Sequence, residues 1–176
     1  PYIEHKCKYA KKLDKQKIYV NYLIQANSEF GIKKLYTILR KNMCYTNKYY
    51  YTNTYLANNL ENYNNLNCIN YLEKILLLSY DPNFKDVEFH SIKNGCCKAF
   101  ISIALSDINN GTHIIVIERL KNIIKTNTNI EDIGFLNYTI EEIEDKINQL
   151  NKPKMNISKV IQIIDELLYE TKNIWS

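Results

Sequence analysis

Apolar residues recur every three or four positions through most of the chain, a spacing that predicts amphipathic helices. The first run covers residues 18–30 and is followed by Gly31, a residue type that commonly ends a helix in the left-handed conformation. A second helix is predicted over residues 32–43. A third helical region covers residues 55–80, and the Asn-rich stretch 58–65 is expected to break it.

The segment over residues 87–118 is compatible with two structures. Residues 109–111, Asn-Asn-Gly, are flanked by β-branched residues, as in a β-hairpin. The apolar residues before them nevertheless keep helical spacing, Gly111 can end one helix and Thr112 can cap the next. We therefore predict two helices here and keep the hairpin as the alternative.

The last third of the chain carries the clearest helical signals. Thr139 and Glu142 match a capping box, in which the hydroxyl and the carboxylate each accept a hydrogen bond from a backbone amide at the start of a helix. A second apolar stripe follows a Lys-Pro-Lys break, which predicts an antiparallel helical hairpin over residues 139–175. Ile143 and Ile164 are expected to be buried between its two helices.

These patterns predict an all-α fold of about six to seven helices, arranged as a helical bundle or as a short α-solenoid of helix pairs. The scarcity of glycine (4) and proline (3) in 176 residues agrees with helices joined by short connections. Residues 1–14 are rich in lysine and poor in large apolar residues, and we predict a basic exposed arm there. Residues 15–176 are then expected to form a single helical domain.

Composition and cysteine content indicate the cellular environment. No apolar run approaches the length of a membrane span, and no secretory signal pattern follows the Lys-rich start. The odd number of cysteines lacks the spacing of a disulfide framework, which favours an intracellular, reducing compartment. Cytoplasm and organelle interior are not distinguished. The five cysteines are Cys7, Cys44, Cys68, Cys96 and Cys97.

Candidate chemistry is sparse. Cys97 could in principle pair with His90 or His113 as nucleophile and base, but no local signature supports that pairing. Zinc would need four convergent ligands, whereas the adjacent Cys96 and Cys97 of a helix point about 100° apart. Glycine-rich phosphate-binding motifs are also missing from the sequence. We therefore predict no catalytic residue, no metal and no cofactor.

Charge is unevenly distributed along the sequence. In residues 1–50, ten lysines and one arginine against three acids give a net charge of +8, residues 51–126 are neutral, and residues 127–176 carry −4. A basic front is typical of chains that bind an anionic partner, here RNA or an acidic protein surface. A codon bias toward Lys, Asn and Tyr would give a similar composition without function, but would spread lysine evenly. The predicted contacts are Lys6, Lys8, Lys11, Lys12, Lys15, Lys17, Lys33, Lys34, Arg40 and Lys41.

The sequence thus favours a non-catalytic α-helical adaptor or structural subunit of a larger assembly, with a ribonucleoprotein as one form of that assembly. Its basic amino-terminal region would bind RNA or an acidic protein surface, and its apolar helix faces would bind protein partners. The alternative is an enzyme whose catalytic residues are dispersed along the chain. A polar pocket with convergent His, Cys and acidic side chains would favour that alternative.

Overall fold

The fold was analysed in a computed structural model that describes residues 2–9, 13–42, 59–78, 87–127, 129–152, 158 and 161–167. Within these ranges every regular element is helical and no strand occurs, which confirms the all-α prediction. Residues 161–167 are also helical. The α-helices are α1 (Tyr2–Tyr9), α2 (Leu13–Gln25), α3 (Glu29–Asn42), α4 (Ile69–Leu78), α5 (Val87–Ser106), α6 (Thr112–Thr126) and α7 (Ile130–Asn151). The short 3₁₀ helices are η1 (Asn59–Asn62), η2 (Leu66–Cys68) and η3 (Ile108–Asn110).

The helices pack largely in chain order. Each helix from α1 to α5 contacts the next α-helix along the chain, and α5 also contacts η1. The β-hairpin alternative around residues 109–111 is therefore wrong, because this segment is η3 and the following turn between α5 and α6. No helix of the described ranges is both long enough and apolar enough to span a bilayer.

Helix α5 lies at the centre of the core. Buried positions cover about two thirds of its circumference between residues 92 and 104, and Asn94 and Lys98 are exposed on the remaining side. Several of the buried positions carry small side chains, which let neighbouring helices approach closely. An apolar surface this wide is broader than the stripe of an ordinary amphipathic helix and is typical of a helix in the interior of a domain. The buried residues of α5 include Ile92, Cys96, Cys97, Ala99, Phe100, Ile101, Ile103 and Ala104.

The Asn-rich stretch that was predicted to break the third helical region contributes to this core. Residues 59–68 form η1 and η2 instead of an α-helix. Leu60 and Tyr63 are both fully buried, and η1 contacts both α2 and α5. The break in the helix was thus predicted correctly. The contacts of η1 with two helices are visible only in the tertiary structure.

The turn between α2 and α3 differs from the prediction. Helix α2 ends before Asn27, which adopts the left-handed conformation at φ 53°. The amide of Asn27 donates to the Ile24 carbonyl at 2.9 Å and the amide of Ser28 donates to the Leu23 carbonyl at 2.8 Å. These two bonds form a Schellman motif, the hydrogen-bond pattern that glycine usually makes at a helix end. Asn27, and not the predicted glycine, ends the helix.

Gly31 has a different role, inside the first turn of α3. A Cβ atom placed there would lie 2.7 Å from the Cβ of Leu23 and 2.9 Å from its backbone carbonyl carbon. Glycine is therefore needed for the close approach of α3 to α2, not for a left-handed backbone. The sequence pattern identified an important glycine, but assigned it the wrong constraint.

Asn27 also connects this turn to the segment between η1 and η2. Its side-chain oxygen accepts a hydrogen bond from the amide of Asn64 at 2.8 Å, and its carbonyl accepts one from the side-chain amide of Asn65 at 2.9 Å. A single asparagine therefore ends α2 and binds the segment between η1 and η2 through Asn64 and Asn65.

The start of α6 shows a second correction. Gly111 is left-handed at φ 74°, as predicted. Thr112, however, does not cap α6, because its hydroxyl donates to the carbonyls of Ala104 and Asp107 in the preceding segment. Thr112 thus donates to carbonyl groups at the end of α5 instead of capping the start of α6. The sequence pattern does not distinguish these two roles of a threonine.

Helix α7 begins nine residues before the predicted capping box. The side-chain oxygen of Asn129 accepts hydrogen bonds from the amides of Glu131, at 2.9 Å, and Asp132, at 3.4 Å, so Asn129 caps the helix. Thr139 lies inside the helix, and its hydroxyl donates to the Phe135 carbonyl at 2.9 Å. The capping-box prediction is wrong, because the helix continues through Thr139 and the backbone amides there are already hydrogen-bonded within the helix.

The chain divides into two compact units, Pro1–Asp145 and Lys146–Ser176. In the second unit, helical residues 161–167 carry exposed apolar side chains, and Ile164 is 49% exposed. Its predicted burial is therefore wrong. Leu168 and Trp175 lie outside the described residues, and the hairpin over residues 139–175 stays a prediction.

The predicted arm, residues 1–14, contains α1 and the start of α2. The described side chains of α1 are exposed except for that of Glu4, which is half-buried and accepts a hydrogen bond from the Ser28 hydroxyl at 3.2 Å. Helix α1 also contacts α2. The basic first fifty residues thus include a helix, α1, that is hydrogen-bonded through Glu4 to Ser28 in the turn between α2 and α3.

Two glycines in helices should respond oppositely to alanine. Gly31→Ala should lower the free energy of unfolding by about 1–3 kcal/mol, because the new methyl group meets Leu23. Gly134→Ala in α7 should raise it by about 0.5–1 kcal/mol, since a Cβ there has no atom within 4 Å and alanine is the better helix former. Urea unfolding followed by circular dichroism measures both. Equal effects of the two changes would contradict the close approach of α2 and α3.

Two isoleucines should respond differently to aspartate. Ile143 is fully buried, so Ile143→Asp should cost about 3 kcal/mol or more, because an unpaired carboxylate would replace a core side chain. Ile164→Asp, at a half-exposed position, should cost less than about 1 kcal/mol. Thermal unfolding of the two variants measures the contrast, and a larger loss for Ile164→Asp would show that its helix is buried in the folded protein.

Candidate nucleic-acid interface

The predicted basic residues lie mainly on the first three helices. Lys6 and Lys8 are on α1, Lys15 and Lys17 are on α2, and four more residues are on α3. Helices α1 and α2 contact each other, as do α2 and α3, so the helices that carry these residues are neighbours. Lys11 and Lys12 lie outside the described residues, as do the side chains of Lys8, Lys17 and Lys41.

The described cations of α3 lie on one side of that helix. Lys33 and Arg40 are exposed, and Lys34 is half-buried. At about 100° per residue, these three positions fall within about 120° of the helix circumference. The opposite side is buried in the core through Ile32, Leu35, Ile38 and Leu39. The amphipathic pattern of α3 therefore fixes the direction of its cations, and we call Lys33, Lys34 and Arg40 the basic face.

The structure defines no ion pair for the three cations of the basic face among the residues that it describes. The ion pairs that it does define there include Lys93–Asp132, Lys98–Glu61 and Arg119–Glu73, on other elements. The acid of α3, Glu29, precedes Lys33 by four residues and therefore lies on the same side of the helix, in the first turn, where a carboxylate interacts favourably with the helix dipole. Three cations against one acid leave this side of α3 positively charged.

Helices α1 and α2 also carry exposed lysine and tyrosine side chains. The Lys6 ammonium lies 5.4 Å from the centroid of the Tyr2 ring, a cation–π arrangement. Lys15 is exposed on α2, and so is Tyr22. Codon bias explains a high tyrosine content, but the exposed position of Tyr2 beside a cation is visible only in the structure.

A different lysine is committed to the structure itself. Lys93 of α5 donates to the carboxylate of Asp132 in the first turn of α7, and the two side chains are 17% and 4% exposed. A buried ion pair that loses one partner leaves an uncompensated charge, which is strongly destabilising. This pair connects α5 to α7, and neither residue was identified from the sequence because nothing in the local pattern relates the two.

The thiols that were considered as nucleophiles are buried. Burial raises the pKa of Cys97 to about 11, helped by the nearby Glu142 carboxylate and opposed by a hydrogen bond with Thr139 and by Lys93. Burial also raises the pKa of Cys96, Cys68 and the phenol of Tyr63. A thiol reacts as its thiolate, so these side chains are protonated and unreactive near neutral pH.

The other groups considered for chemistry were possible metal ligands and a histidine base. In the portion of the chain that the structure describes, no three His, Cys, Asp or Glu side chains come together to hold a metal ion. The side chain of His90 is not among the described ones, so its pairing with Cys97 stays untested.

Comparison with known proteins gives no assignment. No protein-family model, no curated protein and no solved structure matches the chain. Its function is therefore argued from its own surface.

The state of the thiols can be tested by alkylation. In the folded protein at about pH 8, only about one Cys97 in a thousand should be a thiolate, so iodoacetamide should label it slowly. Unfolding in urea should make labelling of Cys68, Cys96 and Cys97 rapid. Mass spectrometry of peptides locates the labels. Fast labelling of Cys97 in the folded protein would restore it as a candidate nucleophile.

Proposed function

We propose that this chain is a non-catalytic α-helical adaptor that binds RNA through the basic surface of α1, α2 and α3. The observation that carries the proposal is the basic face of α3, which is directed away from the core, outnumbers its single acidic neighbour Glu29 and forms no defined ion pair in the described ranges. Phosphates bind such a surface with release of counterions, which favours an anionic polymer over a single small anion.

The charge distribution supports a role in an assembly. The basic front carries +8, whereas residues 127–176 carry −4. An acidic rear part is repelled by phosphate, which directs RNA toward α1–α3 and leaves the rest of the surface for protein partners. Apolar side chains exposed on α6 and α7 fit that second role, namely Ile114, Ile115 and Tyr138.

The proposal predicts strongly salt-dependent binding. For a single strand, the affinity should fall with salt by a slope of about 0.7 per phosphate contact, so Lys33→Gln/Arg40→Gln should reduce the slope by up to about 1.4. The matched control is Lys121→Gln/Lys125→Gln on α6, which removes the same charge from two exposed positions and should leave the slope close to that of the wild type. Filter binding at several salt concentrations measures all three slopes.

Two outcomes would contradict the proposal. If the two double variants change binding equally, net charge and not the basic face determines affinity. If the wild type binds RNA weakly at low salt and with no slope, the acidic protein surface becomes the better partner for the basic face.

A further inference from the structure

Two tyrosines from different helices meet beside the basic face. The rings of Tyr36 on α3 and Tyr71 on α4 have centroids 6.4 Å apart and planes inclined by 54°. Both side chains are half-buried, so part of each ring packs between α3 and α4 while the rest reaches the surface. The pair therefore forms an aromatic surface that continues from α3 onto α4.

Cations surround this pair. The Lys74 ammonium lies 5.1 Å from the centroid of the Tyr71 ring. On α3, Lys33 precedes Tyr36 by three residues and Arg40 follows it by four, so both lie on the same side of the helix as the ring. The neighbouring acid of α4, Glu73, is bonded to Arg119 at 3.4 Å and falls on a different side of α4 from Tyr71. Glu29 also lies on this side of α3, so the three cations outnumber the acids beside the rings and the local charge is positive.

We propose that Tyr36 and Tyr71, flanked by Lys33, Arg40 and Lys74, stack the bases of single-stranded RNA. This inference rests on the proposed function, and it adds a preference for strand form. Cations that follow a phosphate backbone and aromatic rings that receive bases are the two elements of single-strand binding. A duplex offers the same phosphates but keeps its base faces inside the helical stack, so only a single strand can use both elements.

The test removes the aromatic ring without changing charge. Tyr71→Leu should lower the affinity for a short labelled single strand about 10-fold and leave binding of the corresponding duplex unchanged, whereas Tyr71→Phe should retain most of the affinity. The salt slope of Tyr71→Leu should equal that of the wild type, because its phosphate contacts remain. Tyr138→Leu, at an exposed position on α7, is the matched control and should bind both RNAs like the wild type.

The outcomes separate this inference from the proposed function. Unchanged single-strand binding by Tyr71→Leu and Tyr36→Leu would overturn the stacking surface, while a reduced slope for Lys33→Gln/Arg40→Gln would still support the basic face. Equal loss of single-strand and duplex binding would assign the tyrosines to packing of α3 against α4, and thermal unfolding would then show a lowered midpoint. If the wild type binds neither RNA with a salt slope, the proposed function and the inference both fail.

Discussion

Burial of α5 over about two thirds of its circumference is the constraint on which the rest of the structure depends. A helix in this position loses contact with water on most of its sides, so its neighbours must supply complementary surfaces. Helices α4 and α6 and the 3₁₀ helix η1 all contact it. The same burial raises the pKa of Cys96 and Cys97 and leaves Lys93 stable only with Asp132 beside it. The burial of Cys96 and Cys97, which were considered as zinc ligands or as a nucleophile, is thus explained by their packing in the core.

Short polar side chains hold the connections between these helices. Asn27 ends α2 and accepts a hydrogen bond from the backbone amide of Asn64, which fixes the turn before α3. Asn129 caps α7, and Thr112 satisfies carbonyls at the end of α5. At Asn129 and Thr112 a side chain compensates backbone groups at a helix end, whereas the end of α2 is closed by the backbone amides of Asn27 and Ser28. An Asn-rich composition, whatever its origin, therefore provides connections as well as exposed polar surface.

The candidate RNA surface follows from the same packing. Because α3 buries Ile32, Leu35 and Leu39 against the core, its lysines and arginine must lie on the opposite side. The contact of α3 with α4 then adds Tyr71 and Lys74, which are far away in the sequence from Lys33 and Arg40. The composition shows only that the first fifty residues are basic. The structure adds that the cations of α3 lie beside the aromatic rings of Tyr36 and Tyr71.

The sequence by itself determined the all-α class, the existence of most helices and the excess of basic residues in the first fifty positions, because these properties depend on local periodicity and composition. Only the tertiary structure decided which polar residue caps which helix, since Thr139, Thr112 and Gly31 carry the right chemistry at positions where neighbouring segments impose another role. It also decided that Tyr36 meets Tyr71 and that Lys93 meets Asp132. Contacts of this kind join residues that are distant in sequence, and no local pattern encodes the distance between them.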